Sequence, residues 1–475
     1  MREAGRRGAK RVALGTVGAA ALAVLAHAPA AQAATFTVTT TADAGAGSLR
    51  QAITDAKAAV GSDTIVFAIP GAGPHVIRPA SALPTVGVST TVDGCTQPGS
   101  DCSGLPLSLQ VQLDGQGLAL SGDGITVRGL SITGSATAIN VVRWAPAGMW
   151  IASDDVTIEH NYIGLAPDGS AAGNAVAVRA PPSDRGFDGS RRLHVVENVI
   201  GSNGSTAIEA TFATFVASQP MSGTRITGNV IGLDPTATQP RPNLGDGIDL
   251  AMAGDTRIVD NTIANNAGVG IRYGGRAQEV PGSDPAVDPG LLIRGNVVRE
   301  NAGGGISVGP YASARAPSRD PYSGPVALFD NEVADNGGPG VRVTAAADTI
   351  RPNLRIGGTG AGEPNTISGN GGPGVQIGAD TADTSVAVTV RGNAIDGNTG
   401  PAIDLAGDGP TANGDAGVVR SGPNLLTNAP AITRLEHGSV IVGGSYAGAA
   451  NATYTLTSTP ATRPARRSGG SAARR

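Results

Sequence analysis

The chain has 475 residues, 71 of them Gly and 32 Pro, with only 15% charged and 3% aromatic residues. Each Gly or Pro costs a helix interior roughly 1 to 3 kcal/mol, which excludes a mostly helical fold, and the 40% of hydrophobic residues recur with a period, which argues against disorder. The only lysines are Lys10 and Lys57, and G-x-x-x-x-G-K-[ST], G-x-S-x-G and H-E-x-x-H are all missing, so phosphate-loop, Schiff-base, serine-elbow and zinc-peptidase chemistry drop out.

Residues 1–33 read as a secretory signal. Arg2, Arg6, Arg7, Lys10 and Arg11 form a basic start, and Ala31-Gln32-Ala33 is a small-x-small cleavage site. The apolar run between them, Val12 to Leu25, is 14 residues long, short for a bilayer span; the alternative is an uncleaved anchor. Without this segment the chain holds 29 basic and 37 acidic residues, a net charge of −8. Such a surface repels phosphate backbones, so nucleic acid is not an expected partner. No second apolar stretch is long enough to cross a membrane, and the mature protein is expected to be secreted or held at the cell surface.

Residues 34–62 form an N-terminal strand and a capping helix. Ser48-Leu49-Arg50-Gln51 has the pattern of a capping box, in which Ser48 caps the helix and Gln51 bonds back. Leu49, Ile53, Ala56 and Val60 then follow on one face of a helix over 48–60. TIVFAI and LQVQL begin the strands. In DGCTQPGSDCSG, Pro98 and Gly99 can turn the chain so that Cys95 and Cys102 meet in a disulfide, which an exported protein retains; the alternative is two separate thiols. The segment VVRWAPAGMWIASDD carries both tryptophans, Trp144 and Trp150, ahead of Asp154 and Asp155. Exposed indole faces stack on sugar rings while acids accept hydroxyl hydrogens; alternatively one Trp covers the loop's own underside.

From residue 63 to 420 the chain repeats. Asn followed two places on by Ile or Val recurs at Asn161, Asn198, Asn229, Asn261, Asn296, Asn331, Asn365 and Asn393, at spacings of 37, 31, 32, 35, 35, 34 and 28. Six copies carry a second Asn five places later (Asn203, Asn266, Asn301, Asn336, Asn370, Asn398) and Ile or Val ten places later. The unit is a short strand, a bend, and another short strand. Asn tolerates left-handed backbone and offers an amide to the Asn one coil away, and Gly allows the next bend. One period cannot bury its apolar side alone, so coils must stack about 4.8 Å apart along one axis. The pattern therefore specifies an all-β parallel solenoid with Asn ladders. Segments rich in Pro, Gly and charge, such as YGGRAQEVPGSDPAVDPG, follow the third strand of each coil and mark loops on one side.

Alternation places Glu209, Asp249, Arg272, Ser307, Arg342, Gln376 and Asp404 in one outward row. Glu209 and Asp249 fall on neighbouring strands, about 5 Å apart at the backbone, a separation that suits the paired carboxylates of glycosidases. Arg272 can hold an acidic sugar, and Asp246 can add an oxygen ligand for Ca²⁺. A mixed row of this kind also simply keeps a solenoid face soluble, each exposed ion pair contributing about 0 to 1 kcal/mol. The five His, at 27, 75, 160, 194 and 437, never fall at metal-ligand spacing; His160 and His194 are read as solvated turn residues. Neither a metal nor another cofactor is expected.

Residues 421–460 read as a short C-terminal β segment, with AITRLEHGSVIVGGSYAG as antiparallel strands. Residues 461–475 form an Arg-rich tail, either a solvated extension or the mark of a truncated reading frame.

The motifs TTTADAGAGSLRQAITDA, DTIVFAIPG, VDGCTQPG, IGLDPTATQPRPNLGDGIDL, IGGTGAGEPNTISGNGGPGVQIG and GPNLLTNAPAIT span nearly all of the mature chain. In them the sequence resembles the secreted right-handed parallel β-helix proteins that begin with a CSLREA-type motif. The resemblance implies a pectate-lyase-like, single-stranded right-handed parallel β-helix and an extracellular address, and no established reaction. Gly47 stands where the motif has its Cys, and the chain stops where members continue into further β-structure. The expectation is a secreted or surface β-helix, more a binder than an enzyme, presenting loops for adhesion or carbohydrate contact. Its partner would be an extracellular polysaccharide or a surface protein. The alternative is a polysaccharide-active hydrolase or lyase using Glu209, Asp249 and Arg272.

Overall fold

A computed structural model describes residues 33–141, 143–145, 149–151, 153–180, 192–210, 221–251, 253–274, 290–309, 326–344, 354–383, 388–415, 420–427, 431–436 and 441–445. Residues 1–32 of the segment read as a secretory signal, and the Arg-rich tail 461–475, lie outside the described residues. Among these residues the strands form three long parallel sheets of 12, 11 and 10 strands, and neighbours in each sheet come from successive coils. The chain is thus a right-handed parallel β-helix, each full coil giving one strand to each sheet.

The stacking follows from side-chain alternation. In the first sheet Ile158, Val195, Ile226, Ile258, Ile293, Leu328 and Ile356 are in register coil upon coil and are at most 1% exposed. In the third sheet Ile208, Ile248, Ile271, Ile306, Val341 and Val375 do the same. Burying a Val, Leu or Ile side chain contributes about 1.5–3 kcal/mol, and identical neighbours above and below let every coil repeat that gain.

Two Asn ladders run through the corners. In the first, Asn161, Asn198, Asn229, Asn261, Asn296, Asn331 and Asn365 each donate Nδ2 to the next residue's Oδ1 at 2.8–3.1 Å, the last acceptor being Asn393. Each acceptor Oδ1 also takes the backbone N–H of the previous Asn, as Asn296 Oδ1 does from Asn261 at 3.0 Å. Spare amide hydrogens go to carbonyls, for example Asn296 to Ile258 at 2.9 Å. The second ladder contains the six residues seen in the repeat and two more, Asn174 and Asn243. Inserted loops, GLAPDGSAAG and GLDPTATQPRP, push these two beyond the five-residue offset.

The left-handed backbone does not fall on the ladder Asn. It falls on the residue before it: His160, Glu197, Gly228, Asp260, Gly295, Asp330 and Gly392 all have φ between 50° and 73°. The ladder amide must point inward from an ordinary strand conformation, so the sharp turn is made one residue earlier. At Gly295 a Cβ would also fall 2.2 Å from Asp260 Oδ1 on the preceding coil, so this corner excludes a side chain.

Gly in the Gly-Ile and Gly-Val pairs has a different reason from the bend expected of it. Gly270, Gly305, Gly340 and Gly374 lie where a Cβ would come within 2.3–2.5 Å of Val298, Val333, Ile367 and Ile395 of the following coil. They are required by close approach, not by φ.

The ends are closed differently. Helix α1 (Leu49–Ala58) plugs the N-terminal coil with Leu49, Ala52, Ile53 and Ala56. Ser48 Oγ accepts from Gln51 N at 3.2 Å and donates to Gly45 O at 2.8 Å. The Gln51 side chain does not bond back; its Nε2 reaches Asp55 Oδ1 at 2.7 Å, while Ser48 N is taken by Gly45 O. Val60 is beyond the helix and 76% exposed, and Ala52 completes the apolar face instead. At the other end Asn424 stands in for a strand: its Oδ1 accepts from Val388 N and its Nδ2 donates to Val388 O, at 3.0 and 2.8 Å. Beyond it, Ala431–Glu436 pairs antiparallel with Ile441–Ser445.

A second apolar cluster lies outside the second sheet, where Leu107, Leu109, Tyr162, Leu165, Val199, Val230, Leu233 and Ala264 pack together. The two inserted loops bring Leu165 and Leu233 back over the sheet. Tyr162 Oη donates to Leu107 O at 2.7 Å, and burial pushes the phenol up to about 12. Cys95 and Cys102 are disulfide-bonded with Cα atoms 5.9 Å apart, and Cys102 packs against this cluster.

Candidate functional site

The outer face of the third sheet carries one continuous row. Strand register places Asn140, Arg179, Glu209, Asp249, Arg272, Ser307, Arg342, Gln376 and Asp404 on successive coils. Alternation turns the residues from Asn140 to Arg342 outward while their neighbours fill the core. Gln376 and Asp404, expected to face outward as well, are buried at 9% and 2% exposure, because Gln376 Nε2 donates to Gly378 O and Asp404 Oδ2 accepts from Gly409 N. Arg179 and Asn140 escape the sequence repeat because their strands follow Asn174 and the first coils, where the ten-residue offset fails. The alternating segment NAVAVR is the signal that marks Arg179.

Arg179, Glu209, Asp249 and Arg272 come together on adjacent strands. Arg179 Nε lies 3.7 Å from Glu209 Oε2, with both side chains at least 30% exposed. Asp249 is half-buried, and its Oδ1 is shielded from solvent with no hydrogen-bond partner among the described residues. Burial pushes its carboxyl up to about 6, from an ordinary value of 3.8; the negative charge of Asp246 adds to this, Arg272 opposes it, and Glu209 adds a little. A carboxyl in that state holds or releases a proton near neutral pH.

Asp246 is not the open oxygen ligand the sequence suggested. Its Oδ2 accepts from Arg272 Nε at 2.5 Å, and its Oδ1 from Val269 N at 2.6 Å and Arg272 Nη2 at 3.2 Å. Both oxygens are used within the protein, and no group of three or more His, Cys, Asp or Glu suited to a metal occurs among the described residues. Arg272 is accordingly held on one side by Asp246, and its side chain remains 44% exposed.

Trp144 and Trp150 are directly opposite each other in the antiparallel pair Arg143–Ala145 and Met149–Ile151. This pair follows the third-sheet strand Thr137–Val141, so it leaves the solenoid at the start of the row. The tryptophan side chains lie outside the described residues. Asp155 holds a corner with φ 54° and accepts from Arg192 Nη2 at 2.6 Å.

Neither histidine is a freely solvated turn residue. His160 does turn a corner, but its Nε2 meets Glu197 Oε2 at 2.8 Å. His194 sits within the strand Leu193–Val196, and burial, then Arg225, lowers its pKa. Both are on the first-sheet side, away from the row.

The family model described as "Right handed beta helix region" matches residues 187–353. No curated protein sequence matches the chain. Among solved structures, the chain is similar to the A-module of the mannuronan C-5 epimerase AlgE4 from Azotobacter vinelandii, at 16% identity and TM-score 0.45 over 80% of this chain and 100% of that one. It is also similar to the catalytic unit of a GH87 α-1,3-glucanase from Streptomyces thermodiastaticus, at 14% identity and TM-score 0.33 over 77% and 69%. A third is PfbA, a surface adhesin of Streptococcus pneumoniae, at 11% identity and TM-score 0.34 over 77% and 91%. No helix among the described residues is long and apolar enough to cross a membrane.

Proposed function

We propose that this right-handed parallel β-helix protein acts outside the cytoplasm and binds a polysaccharide along the outer face of its third sheet. The observation that carries the reading is the row itself. From Asn140 to Arg342, each coil presents one polar or charged side chain in register. The pitch of about 4.8 Å suits a linear polymer of sugar rings laid along the axis. Inserted segments follow the same strands, and the antiparallel pair whose sequence carries Trp144 and Trp150 follows the strand that begins the row; Trp is a residue type that stacks on sugars.

The test is a polysaccharide panel on the full chain, scored for binding and for released product. Binding without release is expected, weakened at least fivefold by Trp144→Ala or Trp150→Ala. Absence of binding to any polymer would overturn the proposal.

A second reading is favoured by Asp249. Its carboxyl stays protonated up to about pH 6, and Glu209 lies on the adjacent strand. In a hydrolase, Asp249 would give its proton to the glycosidic oxygen as the C–O bond breaks, and Glu209, about 5 Å away at the backbone, would attack the anomeric carbon to form a glycosyl ester that water then cleaves, the proton of that water returning to Asp249. Activity of that kind would fall as pH rises through about 6, because the acid must be protonated, and Asp249→Asn would abolish it. Product release with that pH profile would establish the enzyme in place of the binder.

A further inference from the structure

We infer that the polymer bound along this face is anionic, with carboxylate or sulfate groups meeting Arg272 and Arg342. The inference rests on the polysaccharide reading and narrows it to one chemical class.

Along the row, the four residues from Arg272 to Gln376 include two guanidiniums and no carboxylate. Arg272 is paired with Asp246 on the preceding coil, so among the described residues Arg342 carries the uncompensated positive charge of this stretch. Arg342 is exposed between two core residues, Val341 and Val343, and among the described residues no carboxylate lies within ion-pairing distance of it. Ser307, between the two arginines, offers a hydroxyl to whatever spans them.

Arg272 is pre-set for a bidentate contact. Asp246 occupies its Nε and Nη2 side, and Asp246 is itself only 9% exposed and fixed by Val269 N. A side chain at Gly268 would fall 2.1 Å from Asp246 Oδ1, so the backbone closes tightly around this anchor. The end of the guanidinium formed by Nη1 and the outer hydrogen of Nη2 is left for an oxyanion, the planar fork that arginine offers to carboxylate and sulfate alike. Because Asp246 fixes the rotamer beforehand, less side-chain freedom is lost on binding.

The spacing fits the chemistry. Arg272 and Arg342 are two coils apart, about 10 Å. In an extended polymer of two-fold symmetry the substituents of every second sugar point the same way, so one charged group can meet each arginine while Ser307 meets the sugar between them.

The experiment is calorimetric titration of the full chain with polygalacturonate, dextran sulfate and neutral dextran at low and high salt. Polygalacturonate or dextran sulfate should bind and dextran should not, and whichever anion binds identifies the charged group as carboxylate or sulfate. Arg342→Ala should raise Kd about tenfold without moving the melting temperature. Arg272→Lys, which keeps the charge and removes the fork, should raise it by a similar factor. Binding of dextran as tightly as the anions would sink the inference and leave the polysaccharide reading standing. Anion binding that ignores both substitutions would also sink it, since the contact would then be diffuse. Failure of all three polymers would remove both readings.

Discussion

A ladder Asn bonds to the coils on both sides of it, as Asn296 does to Asn261 and Asn331, and its position along the ladder decides what its removal costs. Replacing Asn296 with Ala strips the acceptor from Asn261 N and Nδ2 and the side-chain donor from Asn331 Oδ1 and Ile258 O, while the backbone N–H of residue 296 still reaches Asn331 Oδ1. Buried groups left without partners cost about 1–3 kcal/mol each in the worst case, so a net loss of about 3 kcal/mol is expected. Asn393 ends its ladder: its Oδ1 accepts from Asn365 N and Nδ2, but its Nδ2 donates only to Ile356 O and to no further Asn, so Asn393→Ala should cost less than Asn296→Ala. Denaturant midpoints of the two variants check the ordering. Asp249 contributes with the opposite sign at neutral pH. Its carboxyl is raised to about 6, so the fold favours the protonated form. The stability linked to it is complete below the ordinary value of 3.8 and is lost as pH rises through about 6. Asp249→Asn should therefore match the wild type at pH 3.5 and exceed it by about 1–2 kcal/mol at pH 7.5, the half-exposed position limiting the gain. A constant difference across that range would refute this account.

At the scale of elements, the two ends of the solenoid are protected by unlike devices. Helix α1 (Leu49–Ala58) depends on Ser48, a wholly buried residue whose hydroxyl both accepts from Gln51 N and donates to Gly45 O. Ser48→Ala should cost about 1–2 kcal/mol, read as a lower melting temperature, whereas Gln51→Ala should cost only a few tenths because the return bond of the capping box is not made. At the far end a single amide, that of Asn424, closes the first sheet through Val388. Asn424→Leu should speed hydrogen exchange in the strand Val388–Val390 severalfold while leaving strands several coils away unchanged, because each coil contacts only its neighbours. The helix was visible as a capping pattern and an apolar face. Asn424 was not, because its role depends on meeting a strand end 36 residues earlier.

Over the whole molecule, the sequence by itself determined the solenoid. Periodic Asn, Gly and branched aliphatic residues are meaningful only if coils stack in register, since no single coil buries its own apolar side. The same arithmetic placed Glu209, Asp249 and Arg272 on one line, because strand alternation has a period of two. What it could not decide was how side chains are spent. That Asp246 is taken by Arg272, that Asp249 keeps an unpaired buried oxygen, and that Arg179 joins the row through an irregular coil all follow from contacts between residues 23 to 40 positions apart. Inserted loops shifted Asn174 and Asn243 out of the repeat in sequence and back into the ladder in space. Backbone periodicity is a local property that each coil restates. The partner of a given carboxylate depends on which side chain the neighbouring coil extends toward it, and only the assembled stack decides that.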